Sequence, residues 1–276
     1  MKIASLNTGH ADWGYDLTTW AIRAPELAQL IQTMDLDVIF LQEIFLIKYS
    51  EADKQLKNYL STLNLPEQNF DKLALLRKAL PSEYFSESAL IPSSDRGKIQ
   101  PGLYWGLSVI SRSRIEKNRK VELTCTKFDR WPRLLQISSV TQEGHEVTLF
   151  NVHLPVESIQ SRQRCALEVC QEIRASSDVS ISICAGDFND IPTVAPAMQL
   201  RTLLIESFDA AKTKDVIVDK ALLSPHSNLY RACVDSRIDY IFAGSGLSFE
   251  SVSYSYGTRE PYLSDHPLVA AELIIR

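Results

Sequence analysis

Residues 181–190 read Ile181-Ser182-Ile183-Cys184-Ala185-Gly186-Asp187-Phe188-Asn189-Asp190. Apolar and small residues alternate from Val179 to Ala185, which is the pattern of a half-buried strand. Asp187 and Asn189 follow where this strand enters a loop. Acidic and amide side chains are costly beside a buried strand unless they are paired or hold a metal ion. The stretch therefore predicts a sheet whose edge carries the polar side chains of a catalytic or metal-binding site.

The same arrangement, an apolar run next to a polar group, recurs along the chain. The further groups are Asn7 after Ile3–Leu6, Glu43 after Val38–Leu41, Asn151 and His153 at the end of Val147–Phe150, Asp239 within Arg237–Phe242, and Asp265 and His266 before Leu268–Ile275. Active-site groups commonly lie where strands emerge into loops. The repetition predicts that these side chains converge on one site.

Helical periodicity occurs between the predicted strands. One helix is predicted over Pro25–Met34, with Pro25 in its first turn, and a second over Ser158–Ala175. The apolar residues of the first helix, spaced i, i+3, i+4 and i+7, are Leu27, Leu30, Ile31 and Met34. Strands that pair with one another and mix with helices indicate an α+β sandwich rather than a series of βαβ units.

Residues 49–100 differ from this pattern. Two short helices are predicted around Leu56–Leu63 and Leu73–Leu80, and Ile91–Gly97 is predicted as a loop. The region has too few apolar residues for a core of its own. We therefore expect one domain over residues 1–276, with an insertion at about 49–100.

The composition limits the classes of function. The chain has 276 residues, of which 45% are hydrophobic and 23% charged, and its net charge is −5. A chain of this size can bury a sizeable core without disulfides. The acidic balance argues against a protein that coats nucleic acid through bulk positive charge, although an enzyme that contacts a few phosphates is compatible with it.

The cysteines and the N-terminus bear on location. The five cysteines are odd in number, have no CxxC spacing and include three within apolar runs, so we expect buried free thiols in a reducing compartment. The N-terminus lacks the apolar region of a signal peptide, and no apolar run approaches the roughly 20 residues of a membrane span. We expect a soluble, cytoplasmic protein; export without an N-terminal signal and the oligomeric state stay open.

The residue types indicate chemistry on phosphate. Glu43 and Asp265 are hard oxygen ligands of the kind that Mg²⁺ takes, with Mn²⁺ as the alternative ion, and Asn7 would extend this ligand set or hold a phosphate oxygen. Hydrolysis of a phosphodiester needs an activated water and stabilisation of the charge on phosphorus and the leaving oxygen. His266, oriented by Asp239, is predicted to manage the proton or to bind the phosphate.

Three further residues complete this hypothesis. Asp187 would align or deprotonate the water, Asn189 would donate to the phosphoryl oxygen, and His153 would be a second donor to the phosphate.

These segments resemble the ordered motifs of the endonuclease/exonuclease/phosphatase superfamily. The motifs are Leu41-Gln42-Glu43, Asn151-Val152-His153-Leu154, Gly186-Asp187-Phe188-Asn189, Arg237-Ile238-Asp239-Tyr240 and Ser264-Asp265-His266-Pro267. Residues 106–112 also resemble the family's Gly-rich strand that ends in Ser-Arg. The resemblance runs from Asn7 to Ile275, so it covers nearly the whole chain.

The resemblance implies a four-layer α/β/β/α sandwich of the deoxyribonuclease I type, with the site at one edge of the two sheets. It implies Glu43 as the principal metal ligand, with Asn7 and Asp265 nearby. The catalytic set that it implies is Asp187, Asn189, Asp239, His153 and His266. We also expect Asn151 and Arg112 to contact the substrate.

With a histidine at position 153, the chain resembles the deoxyribonuclease, sphingomyelinase and tyrosyl-phosphodiesterase branches of the superfamily more than the abasic-site endonucleases. The family's usual acidic partner for that histidine is not evident in the sequence. Tyr104 and Trp105 occupy the neighbourhood in which it would be sought, so the role stays open.

Residues 112–133 are locally basic and bear on the substrate. They fit either a phosphate-facing rim or a solvated hairpin face, and Trp131 would stack a base or a lipid headgroup in the first case. We expect a phosphodiesterase that acts on nucleic acid or a nucleic-acid adduct. The alternatives are a lipid or inositol-phosphate hydrolase, which would bind a phospholipid headgroup, and a non-enzymatic binding module on the same fold.

Overall fold

The computed structural model describes residues 1–9, 13–95, 98–124, 133–218, 221–223, 227–257 and 263–276. The strands within these ranges are β1 Lys2–Asn7, β2 Val38–Ile47, β3 Phe85–Asp95, β4 Lys98–Ser111, β5 Ile115–Leu123, β6 Arg133–Gln142, β7 His145–His153, β8 Ser182–Asp187, β9 Ile205–Glu206, β10 Thr213–Val218, β11 Ala221–Leu222, β12 Asp239–Ala243, β13 Leu247–Tyr256 and β14 Leu268–Ile275. The helices are α1 Trp13–Thr33, α2 Lys54–Leu63, α3 Lys72–Ala79, α4 Ile159–Arg174, α5 Ala195–Leu200, α6 Ser207–Ala210 and α7 Asn228–Asp235.

The strands form two mixed sheets. The eight-stranded sheet has the order β11-β10-β13-β14-β1-β2-β4-β3, and the six-stranded sheet has the order β5-β6-β7-β8-β12-β9. β1 and β2 run parallel, with Asn7 opposite Gln42, and β7 and β8 run parallel, with His153 opposite Asp187. The carboxyl ends of each parallel pair therefore lie at one edge, which brings the polar residues that end these strands together.

Apolar side chains fill the space between the sheets and beneath the helices. Ile3, Phe40 and Val109 of one sheet belong to the same buried cluster as Leu149 and Ile183 of the other. α1 and α3 cover the outer face of the eight-stranded sheet, and α4 and α5 cover that of the six-stranded sheet. The order of layers is α/β/β/α, so the predicted α+β four-layer sandwich is confirmed.

The helix α4 illustrates how the local sequence agrees with this packing. Ser158 caps the helix by accepting a hydrogen bond from the backbone N–H of Ser161, a contact that typically stabilises a helix by about 1 kcal/mol. Its buried stripe includes Cys165 and Cys170, which together with Cys184 are free and buried. The prediction of buried free thiols is confirmed for these three; Cys125 lies outside the described residues.

The first helix begins earlier than its periodicity predicted. α1 starts at Trp13, so Pro25 lies inside the helix and not in its first turn. Leu17 and Trp20 are both fully buried and extend the apolar stripe toward the N-terminus. Pro25 is on the exposed face, where the carbonyl that loses its hydrogen bond can be solvated.

The prediction of a loop over Ile91–Gly97 is wrong for residues 91–95, which are the end of β3. β3 is the outermost strand of its sheet and pairs with β4 alone, with Pro92 opposite Tyr104. An edge strand tolerates proline because the missing N–H can face outward. The two short helices predicted before it are present as α2 and α3, capped by Asp53 and Asp71.

No helix within the described ranges combines the length and the apolar composition that crossing a membrane requires.

Candidate active site

Two buried carboxylates and a histidine meet at the edge where β8 ends and β12 begins. Asp187 and Asp239 are 1% and 0% exposed and lie opposite each other in the antiparallel pair. Nδ1 of His266 is 3.0 Å from Oδ2 of Asp239, and its Nε2 is 3.7 Å from Oδ2 of Asp187. The three residues offer ligand atoms that all lie within 4.8 Å of one another.

The side-chain amide of Asn7 connects this group to the other sheet. Its Nδ2 lies 2.9 Å from Oδ2 of Asp187 and 3.1 Å from Oε1 of Glu43. Its Oδ1 accepts a hydrogen bond from the backbone N–H of Gly9 at 3.0 Å. One amide therefore holds the carboxylates of Glu43 and Asp187 on the same side of the cluster.

The backbone of Glu43 has a left-handed conformation, with φ of 58°, at an irregularity in β2. Such a conformation is unfavourable for a residue with a side chain and persists only where its surroundings enforce it. Nζ of the fully buried Lys72 donates to the carbonyls of Glu43 at 3.2 Å and of Thr8 at 3.0 Å. A Cβ at Gly9 would lie 1.7 Å from Oε2 of Glu43, so the site requires glycine there.

The carboxylates of the site lack sufficient compensating charge. Burial raises the pKa of Glu43 and of Asp239. Burial and the charge of Asp239 together raise the pKa of Asp187 to about 6. Oδ1 of Asp239 is buried and has no hydrogen-bond partner within the described residues. Crowded oxygen donors with a deficit of positive charge fit a hard divalent cation such as Mg²⁺.

The two histidines of the site have opposite electrostatics. Burial disfavours the charged form of His266, but the hydrogen bond and charge of Asp239 outweigh it and raise the pKa of His266 to about 10. Burial, and then the charges of Arg133 and His266, hold the pKa of His153 well below its usual value. At neutral pH His266 is therefore protonated and His153 is neutral.

His153 lies beside Asp187 at the end of β7, with its Nε2 3.5 Å from Oδ2 of that residue. Tyr104 is directed elsewhere, because its hydroxyl donates to Glu51 at 2.6 Å. Trp105 lines the same narrow cleft as His153. Among the described residues, Asp187 is the carboxylate that the structure brings to His153.

Asn189 has a left-handed backbone with φ of 50° directly after β8. Its backbone N–H donates to Oδ1 of Asp187 at 2.8 Å, and its Nδ2 donates to the carbonyl of Leu154 at 2.9 Å. An amide nitrogen carries two hydrogens, so one remains for an incoming oxygen. Its predicted role as a donor to the phosphoryl oxygen is compatible with this position and stays a prediction.

Asp265 is at the rim of the site and not in its buried centre. Its side chain is exposed, and the buried ligand group of Asp187, Asp239 and His266 does not include it. Its charge nevertheless contributes to the raised pKa of both Asp239 and His266. Its role as a metal ligand stays a prediction.

The prediction that Asn151 contacts the substrate is wrong. The side chain is fully buried between the two sheets. Its Nδ2 donates to the carbonyls of Leu41 and Ser108, each at 3.0 Å, and its Oδ1 accepts from Nε2 of Gln42 at 2.8 Å. Asn151 therefore links the sheets beneath the site.

The prediction that Arg112 contacts the substrate is also wrong. Arg112 follows Ser111, which pairs with Val38 at the opposite end of β2 from Glu43, a separation of roughly 16 Å along the strand. Its guanidinium pairs there with Asp35 at 2.5 Å. The motif Ser111-Arg112 correctly marks the end of β4, but this end of the strand lies away from the site.

Sequence inspection missed two cations near the site, Lys72 and Arg133. Lys72 lies in the region predicted to be an insertion, and no motif marks it. Arg133 begins β6, is 6% exposed, and lines the cleft that contains His153. The sequence signal for Arg133 is its position at the start of a strand, within the basic stretch 112–133. Trp131, in the same stretch, lies outside the described residues.

Comparison with known proteins now bears on this geometry. The sequence profile of the Endonuclease/Exonuclease/phosphatase family matches residues 4–266. The chain belongs to this family. No curated protein sequence matches it at a significant level.

Solved structures of other family members share the fold. An endonuclease/exonuclease/phosphatase from Bacteroides vulgatus superposes with a TM-score of 0.71 at 18% identity, covering 100% of this chain and 98% of that one. A mannosyl-6-phosphatase from Bacteroides thetaiotaomicron gives 0.67 at 21% identity, with 100% of both chains covered. TDP2 from D. rerio, in complex with a single-strand DNA product, gives 0.58 at 18% identity and covers 99% and 98%. Family membership explains why the strand-end motifs, and not the intervening segments, carried the resemblance.

Proposed function

We propose that this chain hydrolyses phosphate esters with the help of a divalent cation, Mg²⁺ or Mn²⁺. The observation that carries the proposal is His266, paired with Asp239, beside the carboxylates that Asn7 joins. Anion-binding and cation-binding groups within one small site are what phosphoryl chemistry requires. With this activity we propose a single domain over residues 1–276.

We propose that Glu43 and Asp265 hold the cation, with Asp187 as their neighbour. Asn7 was predicted as a further ligand, but its amide nitrogen faces the carboxylates, so we propose that it positions Glu43 and Asp187 around the cation. A bound divalent cation would polarise a phosphoryl oxygen and lower the pKa of a bound water. The raised pKa values of Glu43 and Asp187 support this assignment, because they report a need for positive charge at these oxygens.

The proton assignments follow from the two raised pKa values. Asp187, with a pKa of about 6, is largely ionised at pH 7 and can accept the proton of the attacking water. In the metal-free protein the pKa of His266 is raised to about 10, so we propose that His266 donates a hydrogen bond to the phosphoryl group or a proton to the leaving oxygen. His153 and Asn189 supply neutral donors to the remaining phosphoryl oxygens.

The contacts of the basic stretch 112–133 bear on the substrate class. Of its described residues, Lys117 and Arg119 do not form the predicted phosphate-facing rim, whereas Arg133 lines the cleft that contains His153. Lys117 pairs with Glu146 at 2.6 Å, and Arg119 pairs with Glu172 at 2.6 Å on the side that α4 covers. These contacts remove the observation that favoured nucleic acid, so we propose phosphate esters as the class, with nucleic-acid adducts tested beside small phosphorylated molecules.

A substrate panel tests the proposed function. The panel contains p-nitrophenyl phosphate, bis(p-nitrophenyl) phosphate, 5′-tyrosyl DNA, sphingomyelin, inositol phosphates and sugar phosphates. We expect hydrolysis of at least one ester, its loss in excess chelator, and its recovery with Mg²⁺ or Mn²⁺. Glu43→Ala should lose orders of magnitude in rate with an unchanged circular dichroism spectrum. Activity that persists in chelator would reject the metal dependence, and a chain that binds Mg²⁺ but turns over no ester would favour the binding module.

We also propose a cytoplasmic location, which is supported by the buried free thiols. Fractionation of cells that express the tagged chain checks it, and recovery outside the cytoplasm would contradict it.

A further inference from the structure

Arg133 is a buried cation whose side chain has no partner of opposite charge within the described residues. It is 6% exposed, and its Nε has no hydrogen-bond partner there. Nε of Arg237 also has no partner within the described residues, but Arg237 and Arg23 differ from Arg133 in their other contacts. The 5% exposed Arg237 pairs with Glu206 at 3.0 Å, and the fully buried Arg23 donates to the carbonyls of Thr8 and Leu263.

The position of Arg133 connects it to the candidate active site. Arg133 lines a narrow cleft with Trp105, Gly106 and His153. His153 in turn lies beside Asp187. Burial, and then the charge of Arg133, hold the pKa of His153 below its usual value, which is consistent with the two side chains lying close together. Arg133 therefore supplies a fixed positive charge on this side of the site.

A largely buried charge without a partner of opposite charge is unfavourable, and an incoming anion relieves that cost. The guanidinium group has a planar fork of donors that matches two oxygens of a phosphate group. A phosphomonoester carries close to two negative charges at neutral pH, because its second pKa is near 6, whereas a phosphodiester carries one. An arginine at the edge of the site, charged at every pH near neutrality, is matched to the additional charge.

We propose that Arg133 binds a non-bridging oxygen of the substrate phosphate, and that this contact makes the site prefer dianionic phosphomonoesters to monoanionic phosphodiesters. This inference rests on the proposed hydrolase function and narrows its substrate class. It places the scissile phosphate between His266 and Arg133, with His153 beside the arginine.

Substitution of Arg133 tests the inference through binding and through selectivity. In Arg133→Met we expect calorimetry with inorganic phosphate to show binding weaker by about 10- to 100-fold, the value of a charge-assisted hydrogen bond. We expect kcat/KM for p-nitrophenyl phosphate to fall at least about 10-fold more than kcat/KM for bis(p-nitrophenyl) phosphate. Arg133→Lys retains the charge but not the fork, so it should recover part of both losses.

Arg119→Met is the matched control, because Arg119 lies on the neighbouring strand β5 and pairs with Glu172. It should leave phosphate affinity and selectivity unchanged. Equal phosphate affinity in Arg133→Met and the parent protein, or equal losses for both esters, would overturn the inference while leaving the hydrolase proposal intact. If Arg133→Met does not fold, Arg133→Lys decides: parent-like binding and parent-like selectivity in that variant would overturn the inference. If the parent protein hydrolyses no ester, the proposed function fails, and phosphate calorimetry still tests Arg133 as an anion contact.

Discussion

The side-chain amide of Asn7 donates to Asp187 across the gap between the two sheets, with 2.9 Å from Nδ2 to Oδ2. Asn7 ends a strand of the eight-stranded sheet, and Asp187 ends a strand of the six-stranded sheet. The same nitrogen lies 3.1 Å from Oε1 of Glu43. The site is therefore assembled where the two sheets meet, and its geometry depends on their relative position.

Replacement of Asn7 tests this connection. In Asn7→Ala the carboxylates of Glu43 and Asp187 lose a shared donor, so we expect Mg²⁺ affinity and kcat/KM each to fall by about 10- to 100-fold, as for the loss of hydrogen bonds to charged groups. Calorimetric titration of Mg²⁺ measures the first effect independently of turnover. Asn58→Ala on the exposed face of α2 is the control. Parent-like Mg²⁺ affinity in Asn7→Ala would contradict the assignment.

Titration of His266 should make the metal-free protein sensitive to alkaline pH. Its pKa is about 10 in the folded state and near 6.5 in the unfolded chain. The folded state therefore holds the proton more tightly, so its stabilisation is complete below pH 6.5 and is lost as the pH rises through 10. Thermal denaturation in chelator should show a melting temperature that falls across this window.

His266→Gln should flatten that dependence, whereas His145→Gln, at the exposed first residue of β7, should retain it. An equally steep fall in His266→Gln would assign the effect to other groups.

Lys72 should stabilise the metal ligand Glu43 through its backbone. Lys72→Met leaves the carbonyls of Thr8 and Glu43 without this donor, at a cost of about 1–3 kcal/mol for each buried group. We expect a lower free energy of unfolding and a Mg²⁺ affinity reduced by about 10-fold or more, because the left-handed backbone of Glu43 is no longer held. Urea denaturation and Mg²⁺ calorimetry measure the two effects.

Lys78→Met changes an exposed lysine of the same helix α3 and serves as the matched control. If Lys72→Met bound Mg²⁺ as the parent protein does, Lys72 would contribute to the fold alone.

Asn151 should matter for stability and not for substrate contact. Asn151→Ala leaves the carbonyls of Leu41 and Ser108 and the amide of Gln42 without their partner in the interior. We expect the free energy of unfolding to fall by about 2–4 kcal/mol, within the range for broken buried networks. The KM for the preferred ester should change less than about 3-fold at a temperature where the variant is folded. A large rise in KM without loss of stability would restore Asn151 as a substrate contact.

Particular elements show where prediction from the sequence succeeded and where it stopped. β1 and β14 lie at the predicted apolar runs Ile3–Leu6 and Leu268–Ile275, because polar residues border these runs. β13 was missed, although Leu247, Phe249, Val252 and Tyr254 are its buried residues; a bulge after Phe249 interrupts the alternation. The start of α1 was missed because buried tertiary contacts, and not local propensity, extend that helix.

The sequence by itself determined the family, the layers and the identity of the polar groups at the strand ends, since period and residue type are local properties. Only the tertiary structure decided which of those groups face one another. Asn151 and Arg112 belong to the same motifs as the site residues. Asn151 is nevertheless buried between the sheets, and Arg112 lies at the strand end remote from the site. Lys72 and Arg133 joined the site from segments without a motif. Electrostatic contacts between residues distant in sequence depend on how sheets and helices pack, and no local pattern encodes that packing.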